Sequence, residues 1–77
     1  MKVKELFEVI DTRFLYPNIH IVDDANLRSV KTFKYPQDSK TYVDEMLNQF
    51  GDRIIIPNGV IFGTDEDEID YIIIEVE

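Results

Sequence analysis

Three consecutive isoleucines, Ile72, Ile73 and Ile74, inside the closing stretch Ile69–Glu77, limit the folds open to this chain more than any other feature. Successive residues of a strand point to opposite faces, so this run is apolar on both. It suits a strand with a neighbour on each edge and cover on at least one face. Immediately before it stands Asp65-Glu66-Asp67-Glu68, and Asp70 lies within it. The most apolar part of the chain adjoins its most acidic part.

The remaining segments supply what such a strand needs. Val3, Leu6, Phe7 and Ile10 share one helical stripe, with Lys2, Lys4, Glu5 and Glu8 mostly off it, which predicts a helix from Lys2 to Asp11. Asp11-Thr12 and Pro17-Asn18 end it, and Phe14, Leu15 and Tyr16 read as an ordered connection. Ile19 to Val22 is a short β-branched strand, and Asp23-Asp24-Ala25-Asn26 a turn with Asn26 as its residue of positive φ. A second strand is expected from Leu27 to Tyr35; neither face of it is cleanly apolar, which marks an edge strand guarded by lysines. Pro36 to Ser39 stops it and caps a second helix through Asp38 or Ser39. That helix presents Tyr42, Val43, Met46, Leu47 and Phe50, and Gly51 is expected to end it in the left-handed conformation. Arg53 to Ile56 then reads as a third strand, Pro57-Asn58-Gly59 as a type I or II turn, Val60 to Gly63 as a fourth strand, Thr64 to Glu68 as a polar loop, and Ile69 to Glu77 as the fifth.

The order is α-β-β-α-β-β-β. The expectation is a single α+β domain over residues 1–77, with two amphipathic helices packed on one face of a mostly antiparallel sheet of four to five strands. Isoleucines of both parities in residues 54–56 and 72–74 imply that the other face is not fully polar. Dimerisation, a protein partner or the Phe14–Tyr16 connection would cover it.

Charge narrows the function classes. The formal net charge is -8 over 77 residues, with no cysteine and one histidine. Residues 1–40 hold seven Lys and Arg against six Asp and Glu, whereas residues 41–77 hold only Arg53 against ten. That asymmetry argues against direct binding of nucleic acid or an anionic membrane, both of which need clustered cations. Disulfides and thiolate metal sites are excluded. With no secretory pattern at the start and no apolar run near the roughly 20 residues of a membrane helix, a cytosolic setting is expected.

No catalytic constellation stands out. His20 sits between two isoleucines of a strand, Ser29 and Ser39 fall in an edge strand and a helix cap, and Asp23-Asp24 occupy a turn. An EF-hand loop starting at Asp65 needs glycine sixth and glutamate twelfth, where this chain has Asp70 and Val76. Asp65, Asp67 and Asp70 leave only weak surface binding of Ca²⁺ or Mg²⁺ open, and no glycine-rich phosphate loop is present. The expectation is a non-enzyme without cofactor or metal.

The acidic half suggests recognition instead. Strand side chains two residues apart lie about 7 Å apart, near the spacing of successive phosphates along a nucleic-acid strand. Asp65, Glu66, Asp67, Glu68 and Asp70, joined by Asp44, Glu45 and Asp52, are therefore candidates for a phosphate-like array against the Lys/Arg groove of a basic partner protein. The opening Met1-Lys2-Val3-Lys4-Glu5-Leu6-Phe7-Glu8-Val9-Ile10-Asp11, the apolar strand running into Asp23-Asp24, and the close Ile73-Ile74-Glu75-Val76 resemble short proteins encoded by phages and mobile elements of Gram-positive bacteria. That group implies no settled activity and no site residues, and the Ser39–Phe50 helix departs from its pattern. Its setting is similar to that of anti-CRISPR proteins, which implies an inhibitor of a host nucleic-acid enzyme by association alone. The alternative is a structural or assembly module acting by homodimerisation or through a sheet face.

Overall fold

The computed structural model describes residues 1–10, 17–34 and 39–77, residues 39 and 40 by backbone alone. Among these lie helix α1 (Val3–Val9), strand β1 (Asn18–Asp23), a short 3-10 turn (Asp24–Asn26), strand β2 (Ser29–Phe33), helix α2 (Ser39–Phe50), and strands β3 (Ile55–Thr64) and β4 (Asp70–Val76). The class is α+β, as the alternation of helical and strand periods implies. The Phe14–Tyr16 connection, Tyr35 and the Asp38 cap lie outside the described residues.

One sheet runs in the order β2-β1-β4-β3. β1 pairs antiparallel with β2, β4 pairs antiparallel with β3, and β1 and β4 pair parallel at the centre. Two of the three pairings are antiparallel, as expected, and the central parallel pair makes the sheet mixed. Two hairpins, joined through α2, meet along their most apolar strands, Ile19 and Ile21 of β1 against Ile72 and Ile74 of β4. Parallel pairs favour burial on both faces, and this arrangement leaves the more polar β2 and the bulged β3 as edges. The isoleucine run does occupy a strand flanked on both sides.

Both helices cover the same face. Val3 of α1 and Tyr42, Met46 and Phe50 of α2 join Ile19, Ile21, Phe33, Ile72, Ile74 and Val76 in a single buried cluster. The Tyr42 hydroxyl donates to the Pro17 carbonyl at 3.0 Å, which anchors the start of α2 beside β1. The seven residues of α1 are too few to be stable alone. The backbone N–H of Lys2 donates to the Glu5 carboxylate at 2.9 Å, and Lys4 N–H donates to the Gly51 carbonyl at 2.9 Å. Docking to the end of α2 thus supplies partners that a short helix lacks.

Several boundaries differ from the sequence expectation. The first helix ends at Val9, with Ile10 already extended at φ -86° and ψ 126°. Positive φ falls on Leu27 (54°) and Arg28 (57°) instead of Asn26, because Asp24–Asn26 closes a 3-10 turn first. Gly51 is not left-handed. Its N–H continues the helical pattern to Leu47 O at 2.8 Å, and a Cβ on it would lie 2.5 Å from that oxygen.

The largest correction concerns the expected third and fourth strands, which are one. Ile55 pairs with Val76 and Val60 with Ile74, so the intervening residues bulge out while the chain keeps its direction. Pro57-Asn58-Gly59, expected as a reversing turn, forms this bulge, with Asn58 at φ 60°. Gly59 permits it, because a Cβ there would stand 2.8 Å from the carbonyl oxygens of both Glu75 and Ile56. The sheet accordingly has four strands among the described residues.

Candidate protein-interaction surfaces

The acidic tetrad lies in the expected polar loop between the last two strands, as the turn of the β3–β4 hairpin. Asp65 N–H donates to Ile69 O at 3.0 Å and Glu68 N–H to Asp65 O at 3.1 Å, and Glu68 takes φ 61° to close the loop. This is a type I turn followed by a left-handed residue. The Asp65 carboxylate turns back to accept from the N–H groups of Asp67 and Ile69 at 2.9 and 3.0 Å. Asp70 accepts from the Thr64 hydroxyl at 3.0 Å. Both are therefore occupied in building the turn, and Glu66, Asp67 and Glu68 remain as its exposed tip.

The other acidic candidates lie elsewhere. Asp44 and Glu45 are exposed on the outer side of α2. Asp52 follows α2 at the Val76 end of the sheet and pairs with Lys4 at 2.9 Å. The length of β4 separates it from the hairpin tip, six steps of about 3.3 Å or roughly 20 Å. Lys4 holds the Asp52 carboxyl below its ordinary range through a hydrogen bond and its charge, and Lys4 is itself raised. The tip and Asp52 thus stand at opposite ends of the molecule. No three His, Asp or Glu side chains among the described residues converge as metal ligands.

A charged clamp that the sequence did not single out closes the Val76 end. The Arg53 guanidinium grips Asp23 in a two-pronged contact at 3.0 and 2.5 Å, and its Nε donates to the Glu77 carbonyl at 3.1 Å. Asp23 is on the core side of β1 and only 9% exposed. Hydrogen bonding from Arg53 pulls its pKa down against the opposing cost of burial, and Arg53 is raised in turn. The partners are 30 residues apart in the chain, so spacing could not reveal them.

Among the described residues, the opposite sheet face carries no helix. Cross-strand register sets Thr32, His20, Ile73 and Ile61 in one row, Val30, Val22 and Glu75 in a second, and Asn18, Tyr71 and Gly63 in a third. Val30 is 61% exposed and Ile61 54%. His20 Nδ1 lies 2.9 Å from Thr32 Oγ1, and its ring meets Tyr71 edge-on at 6.3 Å. The Tyr71 ring lies over Gly63, where a Cβ would come 2.3 Å from its hydroxyl oxygen. Glu75, the one carboxylate in these rows, pairs with Arg28, which also holds Asp24 at 3.1 Å. In a chain of net charge -8, this face is close to neutral.

Fold and surfaces together define a small α+β protein with one sheet face under helices and the other bare among the described residues. Compared with protein-family models, curated proteins and solved structures, the chain matches none. Among the described residues, no helix is long and apolar enough to cross a membrane.

Proposed function

We infer that this chain is a non-enzymatic protein-binding module of the cytosol whose recognition surface is the helix-free face of its sheet. The observation that carries this reading is the depletion of charge on that face beside exposed Val30 and Ile61. Charge depletion at the centre and apolar or aromatic side chains are what distinguish interface cores from ordinary surface. Tyr71 and His20 give the face a polar lip for orientation, and the Arg28–Glu75 pair bounds one side.

A second reading rests on a different feature. The hairpin tip holds Glu66, Asp67 and Glu68 exposed on a turn fixed by four hydrogen bonds involving Asp65. No cation pairs with them among the described residues. That tip suits a basic groove, and the inhibitor of a host nucleic-acid-binding enzyme is a proposal of this kind. The contact is then made by the tip, with Asp44 and Glu45 of α2 as auxiliaries and Asp52 too distant to join.

One experiment separates the two. Proteins captured from a bacterial lysate by the wild-type chain are compared with those captured by Ile61→Lys/Ile73→Lys and by Glu66→Ala/Asp67→Ala/Glu68→Ala. A partner lost with the first variant and kept with the second supports the face. A partner lost only with the second, and eluting at moderate salt, overturns the face in favour of the tip.

A further inference from the structure

We propose that two copies of this chain pair through the free edge of β3, antiparallel about a two-fold axis near Phe62, into one continuous eight-stranded sheet. The inference stands apart from the reading above, since it concerns the sheet's edge and a second copy rather than its face and a foreign partner.

The two edges of the sheet are built differently. β2 is short and carries exposed Arg28, Lys31 and Lys34 along or beside it, which discourages pairing with another strand. β3 is guarded only by its Pro57–Gly59 bulge, which lies before Val60 and leaves Val60–Thr64 without one. Residues 54–64 contain no Asp, Glu, Lys or Arg, in a chain where 31% of residues are charged. Ile61 and Phe62 point to opposite faces of β3 and are 54% and 61% exposed. An edge with apolar side chains on both faces and no charge is a template for strand addition.

The start of that edge is already occupied, which fixes where a partner strand can lie. Ile55 N–H donates to Met1 O at 2.8 Å and Val3 N–H to Arg53 O at 3.0 Å, so Met1–Val3 covers residues 53–55 from outside. Among the described residues, nothing pairs with the outer edge from Val60 to Thr64. Centring the dyad on Phe62 places Phe62 against Phe62 of the second copy and Ile61 opposite Gly63, beside the Tyr71 ring that lies over that glycine. A large side chain thereby meets a small one.

Charge selects a second copy over an arbitrary extended segment. β3 has Lys2 beside its first residues and Asp65–Glu68 beyond its last. Lys4 and Arg53 at the same end pair with Asp52 and Asp23, whereas Lys2 makes no close ion pair among the described residues and acts on Asp52 only through its charge. Antiparallel pairing brings the acidic turn of each copy toward the Lys2 end of the other, twice by symmetry. The pairing also makes the helix-free face twice as wide.

Sedimentation equilibrium of the full chain tests the proposal, with Phe62→Lys and Val30→Lys as exposed variants whose folding is checked by circular dichroism. The expected result is a species of twice the 9.1 kDa chain mass in the wild type and in Val30→Lys, and association weakened more than about tenfold in Phe62→Lys. In the wild type, amide exchange at Val60–Thr64 should slow as concentration rises. A wild type that stays monomeric up to about 1 mM, or a dimer lost in Val30→Lys but kept in Phe62→Lys, overturns it.

Discussion

At the scale of single residues, the chain places ordinary amino acids in backbone conformations that glycine usually fills. Glu68 at φ 61° closes the acidic hairpin, and Leu27 and Arg28 at 54° and 57° connect the 3-10 turn to β2. The left-handed region costs a residue with a Cβ about 1–2 kcal/mol relative to its preferred backbone. Glu68→Gly should therefore raise stability by about 1 kcal/mol in urea melts, net of the extra freedom glycine has when unfolded. A loss of stability would mean that the Glu68 side chain contributes more than its strained backbone costs. Asp23 makes a prediction about acid. Its folded-state pKa is depressed, first by the hydrogen bond from Arg53, below the ordinary aspartate value of 3.8. The stability it confers is then complete above about that value and is lost as pH falls through the lower, folded-state pKa. Asp23→Asn should melt lower than wild type at pH 7, and the gap should narrow below pH 4. Parallel curves from pH 7 to 3 would show that the Arg53 contact does not stabilise the fold. Neither feature was legible in advance: Asp23 read as a turn residue, and its partner lies on the far side of α2 in sequence.

At the scale of elements, strands were legible where periodicity and composition agreed, and misread where a local signal competed with pairing. β4 follows directly from its isoleucines, and α2 from the Tyr42, Val43, Met46, Leu47, Phe50 stripe, of which Tyr42, Met46 and Phe50 are buried. Pro57-Asn58-Gly59 carries the local chemistry of a reversal, yet both flanking segments bond to β4, and that shared partner turns the signal into a bulge. Propensity reports what a segment tolerates; the sheet decides what it becomes. The bulge is tightly packed at Gly59, where a Cβ would press on two carbonyl oxygens at 2.8 Å. Gly59→Ala should cost about 1–3 kcal/mol, the usual penalty for overpacking, measured by chemical denaturation. If Gly59→Ala were neutral, β3 would have to tolerate a shift of its register against β4. The acidic tetrad shows the same competition. Its composition suggested an array at strand spacing, whereas Asp65 uses its carboxylate to fold the turn.

At the scale of the whole molecule, the order of strands and the distribution of charge have to be considered together. Sequence order suggests neighbours, and the observed β2-β1-β4-β3 sheet keeps both hairpins but joins them through a parallel pair that no local pattern announces. The net charge of -8 is spread over a body only 29 × 25 × 19 Å in extent. Electrostatic screening acts over about 30 Å at 0.01 M salt and about 10 Å at 0.1 M. At the lower concentration every carboxylate feels every other, and at the higher only near neighbours interact. The described ion pairs are mostly at the surface, where each is worth about 0–1 kcal/mol and weakens with salt. The expectation is that repulsion among the carboxylates of residues 41–77 that make no ion pair exceeds these contributions. Adding NaCl from 0.01 to 0.1 M should therefore raise the melting temperature by a few degrees, opposite to the response of a fold held by its ion pairs. Replacing the hairpin tip with Glu66→Gln/Asp67→Asn/Glu68→Gln should raise the melting temperature at 0.01 M and shrink the salt response, because charge removal and screening relieve the same repulsion. A wild type that melts lower in salt would place the controlling electrostatics in the Arg53–Asp23 clamp and its neighbours rather than in the excess of acid.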